Sequence, residues 1–483
     1  MNLKELLKLK ENNKLEFKKA KGGLPQSIWE TYSAFANTDG GCILLGLEEL
    51  SNKQISIIGI ETPQKLITQF WNEINNKQKV SINILTDKNI EIINYKNKDI
   101  IKISVPRSDR HNKPIFINND LLGQTYRRNG EGDYHCTKSE IKNMLRDQTD
   151  EILDLTVLKK MDLSVFDKET IKRYRTRMLN LKLDHIWNSL NEEDFLQKIG
   201  AARKAEDNKF HPTTAGLLMF GYEYEIVKEF PHYFLDYREV NDADIRWTDR
   251  FVSSSGEWSG NLFDFYFKAC AKLVADLKVP FVLADNGFDR IDDTPLHKIL
   301  REAVANALLH SNYYERRGIV IEKKFNKEFI ISNPGGLRIS KSEAISGGIS
   351  DPRNETLVKM FSLLNIGERA GSGLHSIYTV LKKENNLIPV LEEQFNPDRT
   401  TLKITIDTNN DYIEEKTREK TREKTREKII ELIRKNSKIT TREMAENLGL
   451  TIKGIEWQIK SLQENNIIER IGSKKAGSWS IKK

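Results

Sequence analysis

The residues best equipped for chemistry stand in the run Arg301-Glu302-Ala303-Val304-Ala305-Asn306-Ala307-Leu308-Leu309-His310-Ser311-Asn312-Tyr313. Glu302, Asn306 and His310 are spaced i, i+4, i+8, so a helix sets them in one row. Leu296, Ile299, Leu300, Ala303 and Ala307 fall on an apolar face of the same helix. A carboxylate and an amide held in line suit a metal-bound triphosphate. The Asn306 oxygen can complete a Mg²⁺ shell, and the Glu302 carboxylate can orient an attacking water. Polar residues at this spacing are also the ordinary wet face of a buried helix. Two glycine-rich segments change the weighing: Ile331-Ser332-Asn333-Pro334-Gly335-Gly336-Leu337 follows a strand, and Asn365-Ile366-Gly367-Glu368-Arg369-Ala370-Gly371-Ser372-Gly373-Leu374 precedes a helix. Glycines admit backbone N–H groups close to phosphates, and a helix N-terminus adds a favourable dipole.

Four regions and a linker must position these residues. The chain has 483 residues, enough for two to four domains at ~150 residues each. From 1 to 148, a helix over Ser27–Ala36, a turn at Asp39-Gly40-Gly41 and a buried strand over Cys42–Leu47 are expected. Further β-like runs are Ser56–Ile60, Ser81–Leu85, Ile90–Tyr95 and Ile100–Val105, so this region reads as α+β. Residues 149–285 form a central mixed α/β region. Phe195–Lys204 and Thr214–Phe220 read as helical there, and Tyr233–Val240 as extended. Residues 286–408 carry the periodic helix, strands over Gly318–Lys323 and Glu328–Ser332, and the glycine loops. In the linker, 409–427, Glu-Lys-Thr-Arg occurs three times over Glu415–Arg426 with no apolar residue, which reads as a solvated helical spacer or a DNA-backbone contact.

Residues 428–483 read as helix, helix, tight turn, helix and basic hairpin. Thr440 or Thr441 with Glu443 caps the second helix, and Gly449 closes it. The third helix buries Ile452, Ile455, Ile459 and Leu462, and turns Lys453, Glu456, Gln458 and Lys460 to solvent. Lys474 and Lys475 lie in the loop between two strands. This segment resembles the winged helix-turn-helix of bacterial transcription regulators. That resemblance implies DNA in the groove of the third helix and phosphates near Lys474 and Lys475. Winged helices also serve as protein–protein modules.

The helix and both glycine loops together resemble the GHKL ATP-binding fold, an α/β sandwich, over about Thr294–Asn385. More narrowly, they look like the divergent GHKL domain that accompanies Schlafen AlbA-type domains. The resemblance implies ATP and Mg²⁺, with Glu302 as the catalytic base and Asn306 as metal ligand. It implies cofactor contacts at Asn306, His310, Asn333, Gly335, Gly336, Arg353, Asn354, Glu368, Gly371, Ser372 and Gly373. GHKL proteins place Asp where Asn333 stands; Asn333 can still accept through its side-chain oxygen.

Leu15-Glu16-Phe17-Lys18, Ala34–Glu49, Pro106, Lys113-Pro114 and Gln124–Gly130 resemble the Schlafen AlbA-type domain, over roughly Leu6–Ile141. Bacterial members are assigned to DNA binding; animal Schlafens cut RNA with three metal-binding acids. By that resemblance the acids are Glu11, Glu16 and Glu49, catalytic ligands for Mg²⁺ or Mn²⁺. The third is usually Asp. Two readings compete with cleavage. The acids could pair with Lys18 or Arg127, or the domain could bind nucleic acid uncut through Lys18, Lys19, Lys21, Arg127 and Arg128.

Three cysteines, Cys42, Cys136 and Cys270, form no CxxC pair, which excludes a zinc or disulfide framework and suits a reducing cytoplasm. The polar N-terminus and short apolar runs point away from a membrane. The 77 basic and 70 acidic residues nearly cancel, to +7, so a local patch matters more than net charge. The combined reading is an α+β multidomain, ATP-responsive transcription regulator that binds DNA; family resemblance adds a homo-oligomer. The rivals are an ATP-gated endoribonuclease acting on RNA and an assembly platform without catalysis.

Overall fold

The computed structural model describes residues 12–50, 54–241, 246–275, 277, 293–325, 327–367, 371–385, 387–395, 397–406, 425–465, 467–472 and 477–482. Near the N-terminus, strand Leu15–Lys18 runs parallel to Gly41–Leu45, with helix Ile28–Asn37 as the crossover between them. Two antiparallel strands, Lys98–Val105 and Ile90–Tyr95, complete a four-stranded sheet. The apolar side of the crossover helix, Ile28, Trp29, Tyr32 and Phe35, packs with Ile43, Leu45, Ile101 and Ile103 into one core. A parallel pair requires such a crossover, because a tight turn cannot return the chain in the same direction. The expected strand at Ser81–Leu85 is a loop instead. Tyr32 holds part of its course: the hydroxyl donates to Ile82 O at 3.0 Å and accepts from Ile84 N–H at 2.9 Å.

The 149–285 and 286–408 segments, distinct by sequence pattern, share one sheet and one core. The six strands are ordered 249–252, 235–240, 319–324, 328–334, 399–405 and 390–394. Leu235–Val240 pairs in parallel with Ile319–Lys324, and the other neighbours are antiparallel. The core extends from Val165 to Ile406. The helix expected through Lys204 stops at Ile199, where Gly200 takes φ 91°; Ala202–Lys204 is a strand paired with Phe210–Pro212. A left-handed glycine is a common helix stop.

Helix Pro295–His310 starts where the Thr294 side chain accepts from His297 N–H and Pro295 fills the first turn. Ile299, Leu300, Ala303, Val304, Ala307 and Leu308 are buried, while Glu302, Asn306 and His310 keep partial exposure. The helix packs on Gly373–Asn385, Leu262–Val274 and strand Glu328–Pro334. That fixes the polar row against both glycine segments.

The C-terminal unit has its own core, including Ile429, Ile433, Met444, Ile455, Ile459 and Leu462. Thr440 and Glu443 form a reciprocal cap, Gly449 closes the helix at φ 62°, and Ile468–Ile471 pairs with Ser478–Ile481. Among the described residues, no helix is long and apolar enough to cross a membrane.

Candidate nucleotide pocket and nucleic-acid surfaces

A cavity of about 1010 Å³ including its mouth opens beside the Pro295–His310 helix. Asn306 and His310 line one wall; Asn333, Gly336, Thr400 and Leu402 line another; Gly367, Gly371 and Gly373 border a third. The register aligns Asn333 with Thr400 on adjacent strands. Asn333 donates its amide to Pro334 O at 3.2 Å, and Thr400 donates to Gly335 O at 2.8 Å. Among the described residues, the buried Asn306 Nδ2 has no hydrogen-bond partner. Leaving such a group unpaired costs roughly 1–3 kcal/mol unless something else satisfies it.

The second glycine segment approaches the helix too closely for a side chain. A Cβ at Gly373 would collide with Glu302 Oε1 and come within 2.7 Å of Asn306 Nδ2. Gly371, at φ 64°, has backbone that a Cβ would also strike. The row and the loop therefore meet, but Glu302 lines an adjoining recess with Arg177, Lys298 and Arg301 rather than the main cavity. Burial and the Arg353 and Arg338 charges push the His310 imidazole down to about 4, so it is neutral near pH 7.

Several expected cofactor contacts have other partners. Arg353 borders the cavity, yet it grips both Asp147 oxygens, at 2.9 and 2.6 Å, and His310 O at 2.9 Å. Asn354 is buried and donates to Leu309 O and Ser311 O, closing the helix C-terminus outside the cavity. Gly335 N–H donates to Asp398 O, and Ser372 O accepts from Ser376 N–H. Glu368 lies outside the described residues.

In the N-terminal sheet, Glu16 is only 8% exposed and is held by Lys18 at 2.8 Å and Arg128 at 2.8 Å. Arg128, 2% exposed, also binds Asp133 and the carbonyls of Asn12 and Leu15. Arg127 points to the opposite side, as strand alternation dictates, and pairs with Glu140 at 2.7 Å. Glu16 therefore pairs with Arg128, not Arg127, and the expected nucleic-acid contacts Lys18, Arg127 and Arg128 are engaged in ion pairs. Glu49 sits in the short Leu47–Glu49 strand. Glu11 lies outside the described residues, and no group of three candidate metal ligands occurs among those described. Because two cations already occupy the Glu16 carboxylate, the site does not fit a bound divalent metal.

In the winged helix, Lys453 and Lys460 are exposed on helix Ile452–Glu464. Gln458, expected at the surface, is buried and accepts from Arg426 Nε at 3.1 Å. Arg426, the last residue of the repeated linker, therefore fastens that segment to the third helix. Lys474 and Lys475 lie outside the described residues.

Four protein families match separate stretches of the chain. Residues 11–137 match the Schlafen, AlbA_2 family. Residues 142–236 match a domain of unknown function, DUF8451. Residues 323–405 match the ATP-dependent DNA helicase recG C-terminal family, and 422–469 match the winged helix-turn-helix DNA-binding family. The chain therefore carries a part similar to the Schlafen AlbA_2 domain, an ATPase-like part and a winged-helix part. The search of curated proteins returned no match. Two solved structures are similar: the DIP2311 protein from Corynebacterium diphtheriae, 15% identical, covers 97% of this chain and 80% of its own, with a TM-score of 0.40. The N-terminal domain of a RecG-related protein from Nitrosomonas europaea, 26% identical, covers 28% of this chain and 90% of its own, with a TM-score of 0.23.

Sequence reasoning missed the residues that join the AlbA-type and ATPase-like parts. Arg107 donates to Leu337 O at 2.5 Å and to Glu393 at 2.8 Å. Arg110 binds Asp351 at 2.7 Å, and Arg338 reaches Asp147 O at 3.2 Å. These partners are far apart in sequence, so spacing carries no trace of them. Thr400 was also missed; an alternating strand opposite Asn333 was the available signal.

Proposed function

We propose that this protein binds ATP in the cavity beside the Pro295–His310 helix and couples that state to DNA binding by the winged helix. The observation that carries the reading is the buried Asn306 amide without a protein partner, in the wall of a cavity whose rim has no room for side chains. Its oxygen would hold Mg²⁺, and its nitrogen would meet an acceptor on the nucleotide. Asn333, whose nitrogen is engaged by Pro334 O, offers its oxygen to an adenine amino group beside Thr400. Glu302, close to Gly373, is the candidate for orienting water. Bound ATP supplies the triphosphate charge and the bond that hydrolysis would break.

The family match to a helicase C-terminal region and to a DNA-binding winged helix supports this class of function. The relay would begin at the cavity wall. Leu337, Arg338, Asp351 and Arg353 border the nucleotide cavity and also hold Arg107, Arg110 and Asp147 of the AlbA-type side. A ligand that favours one arrangement of these contacts must, by linkage, be favoured by it.

Calorimetry with Mg-ATP tests binding: heat is expected from the full chain and not from Asn306→Ala. Equal heats from both would dismiss the pocket. Selecting genomic fragments with the full chain and with a form ending before Lys428, each with and without ATP, tests the coupling. Enrichment that depends on both is expected.

A further inference from the structure

A second cavity, of about 640 Å³, lies in the seam between the AlbA-type and ATPase-like parts. It shares Gly336, Leu337, Arg338 and Arg353 with the nucleotide cavity, so the first glycine loop is a common wall. Six cationic side chains and four carboxylates line it. Three of those carboxylates are already paired: Glu393 with Arg107, Asp147 with Arg353, and Glu140 with Arg127.

Two cations keep free donors among the described residues. Lys113 Nζ makes one hydrogen bond, to Asn37 O at 2.8 Å, and no ion pair; burial and the Arg107 charge hold its amine down to about 7, so a bound anion would draw a proton onto it. Arg127 Nε lies 2.7 Å from Glu140 Oε1 outside hydrogen-bond geometry, and it is a buried donor without a hydrogen-bond partner, so this guanidinium is incompletely satisfied. A planar guanidinium fork beside an ammonium is the pairing proteins use for phosphate oxygens. Phe395 lies 5.7 Å from the Arg127 guanidinium, which limits the directions that fork can take. The fourth carboxylate, Asp398, is pushed up to about 6 by burial and by Glu140 and Glu315, which eases an anion's entry in mildly acidic solution.

We propose that this seam is a binding site for a small phosphate-bearing anion, held by Lys113 and Arg127 and distinct from the nucleotide cavity. Walls from two domains and the limited volume favour a small molecule over a polymer. The occupant would join the two parts from its own side of the shared Gly336–Arg338 wall. This proposal stands independently of ATP binding.

The test titrates inorganic pyrophosphate into the full chain by calorimetry. Saturable binding is expected, weakened at least tenfold in Lys113→Gln and Arg127→Gln and unchanged in Asn306→Ala. Loss in Asn306→Ala with full binding in Lys113→Gln would overturn it, as would no heat from the native protein. Arg127→Gln leaves Glu140 unpaired and could unfold; Lys113→Gln keeps a donor for Asn37 O and carries the test alone. Crystals soaked in tungstate give a second measurement. An anomalous peak between Lys113 and Arg127 is expected, and a peak only in the nucleotide cavity would overturn the assignment.

Discussion

The Glu302–Asn306 row and the Glu16 cluster both looked like chemistry in the sequence, and the structure treats them differently. Around Glu16, each charge has a protein partner: Lys18 and Arg128 take the carboxylate, Asp133 takes Arg128 Nη1, and Arg128 Nε alone lacks a hydrogen bond. Around Asn306, a buried donor faces a cavity with no protein acceptor. The two differ less in residue type than in whether the fold already satisfies the polar groups. A saturated network rigidifies a domain; an unsaturated one has capacity for a ligand.

The strongest way to break this comparison is to remove a member of the saturated network. Arg128→Ala leaves buried Glu16 and half-buried Asp133 without their shared partner, and is expected to destabilise the AlbA-type domain by about 3 kcal/mol. Urea unfolding of the full chain measures this. Mg-ATP heats should survive wherever the variant is folded. A neutral result would show that Glu16 is not held by Arg128 in solution. As a companion, tRNA incubated with Mn²⁺ should show no cleavage that disappears in Glu16→Ala.

The unsaturated site is probed by filling it. Gly373→Ala drives a methyl group toward Glu302 and Asn306, and a weakening of Mg-ATP binding by ~100-fold, about 2.7 kcal/mol, is expected. Gly22→Ala is the matched control, because its Cβ would meet nothing within 4 Å and its backbone is not left-handed. Equal affinity in both variants would show that the loop does not close on the nucleotide as it does on the helix.

Asp398 sharpens the comparison, being a half-buried acid of the seam that meets the Asn143 amide at 3.4 Å and no cation within ion-pair distance among the described residues. Its carboxyl rises to about 6, from 3.8, through burial and the nearby Glu140 and Glu315. The folded state therefore binds more protons than the unfolded state between those values. Its penalty is absent below about 3.8, grows as pH rises to about 6, and is constant above. Asp398→Asn is expected to stabilise the shared core by about 2 kcal/mol at pH 7.5, and by nothing near pH 3.5. Paired urea midpoints at the two pH values decide it. A gap that does not depend on pH would mean that the gain comes from packing.

Much of the fold was legible because periodicity and caps are local. The Pro295–His310 row, the Thr440–Glu443 cap, the Gly449 stop and the two wing strands all follow from neighbours within a turn or two. What was not legible was long-range. Parallel pairing of Leu235–Val240 with Ile319–Lys324 merges two segments into one core, and no spacing announces it. Arg353 and Asn354 were expected to contact the nucleotide, but their hydrogen bonds go to Asp147 and to the end of the helix. Arg127 and Arg128 looked alike in sequence; one residue of strand alternation sends the first to the seam and the second into the domain interior.

The smallest expected effect concerns the winged helix, where exposed charge replaces buried pairing. Lys453 has no ion pair among the described residues, while Lys460 lies 3.9 Å from Glu464, a weak exposed pair. Both sit on the helix that would face DNA. If they contact phosphates, each substitution to Ala should weaken binding a few-fold across all sequences and reduce the salt slope by about 1. Gln458 offers the contrast, because it is buried against Arg426. Gln458→Ala should therefore lower the unit's thermal midpoint and leave the salt slope unchanged. Fluorescence anisotropy over a salt series separates the two outcomes. A reduced slope in Gln458→Ala, or an unchanged one in Lys453→Ala, would place the DNA on another face of the unit.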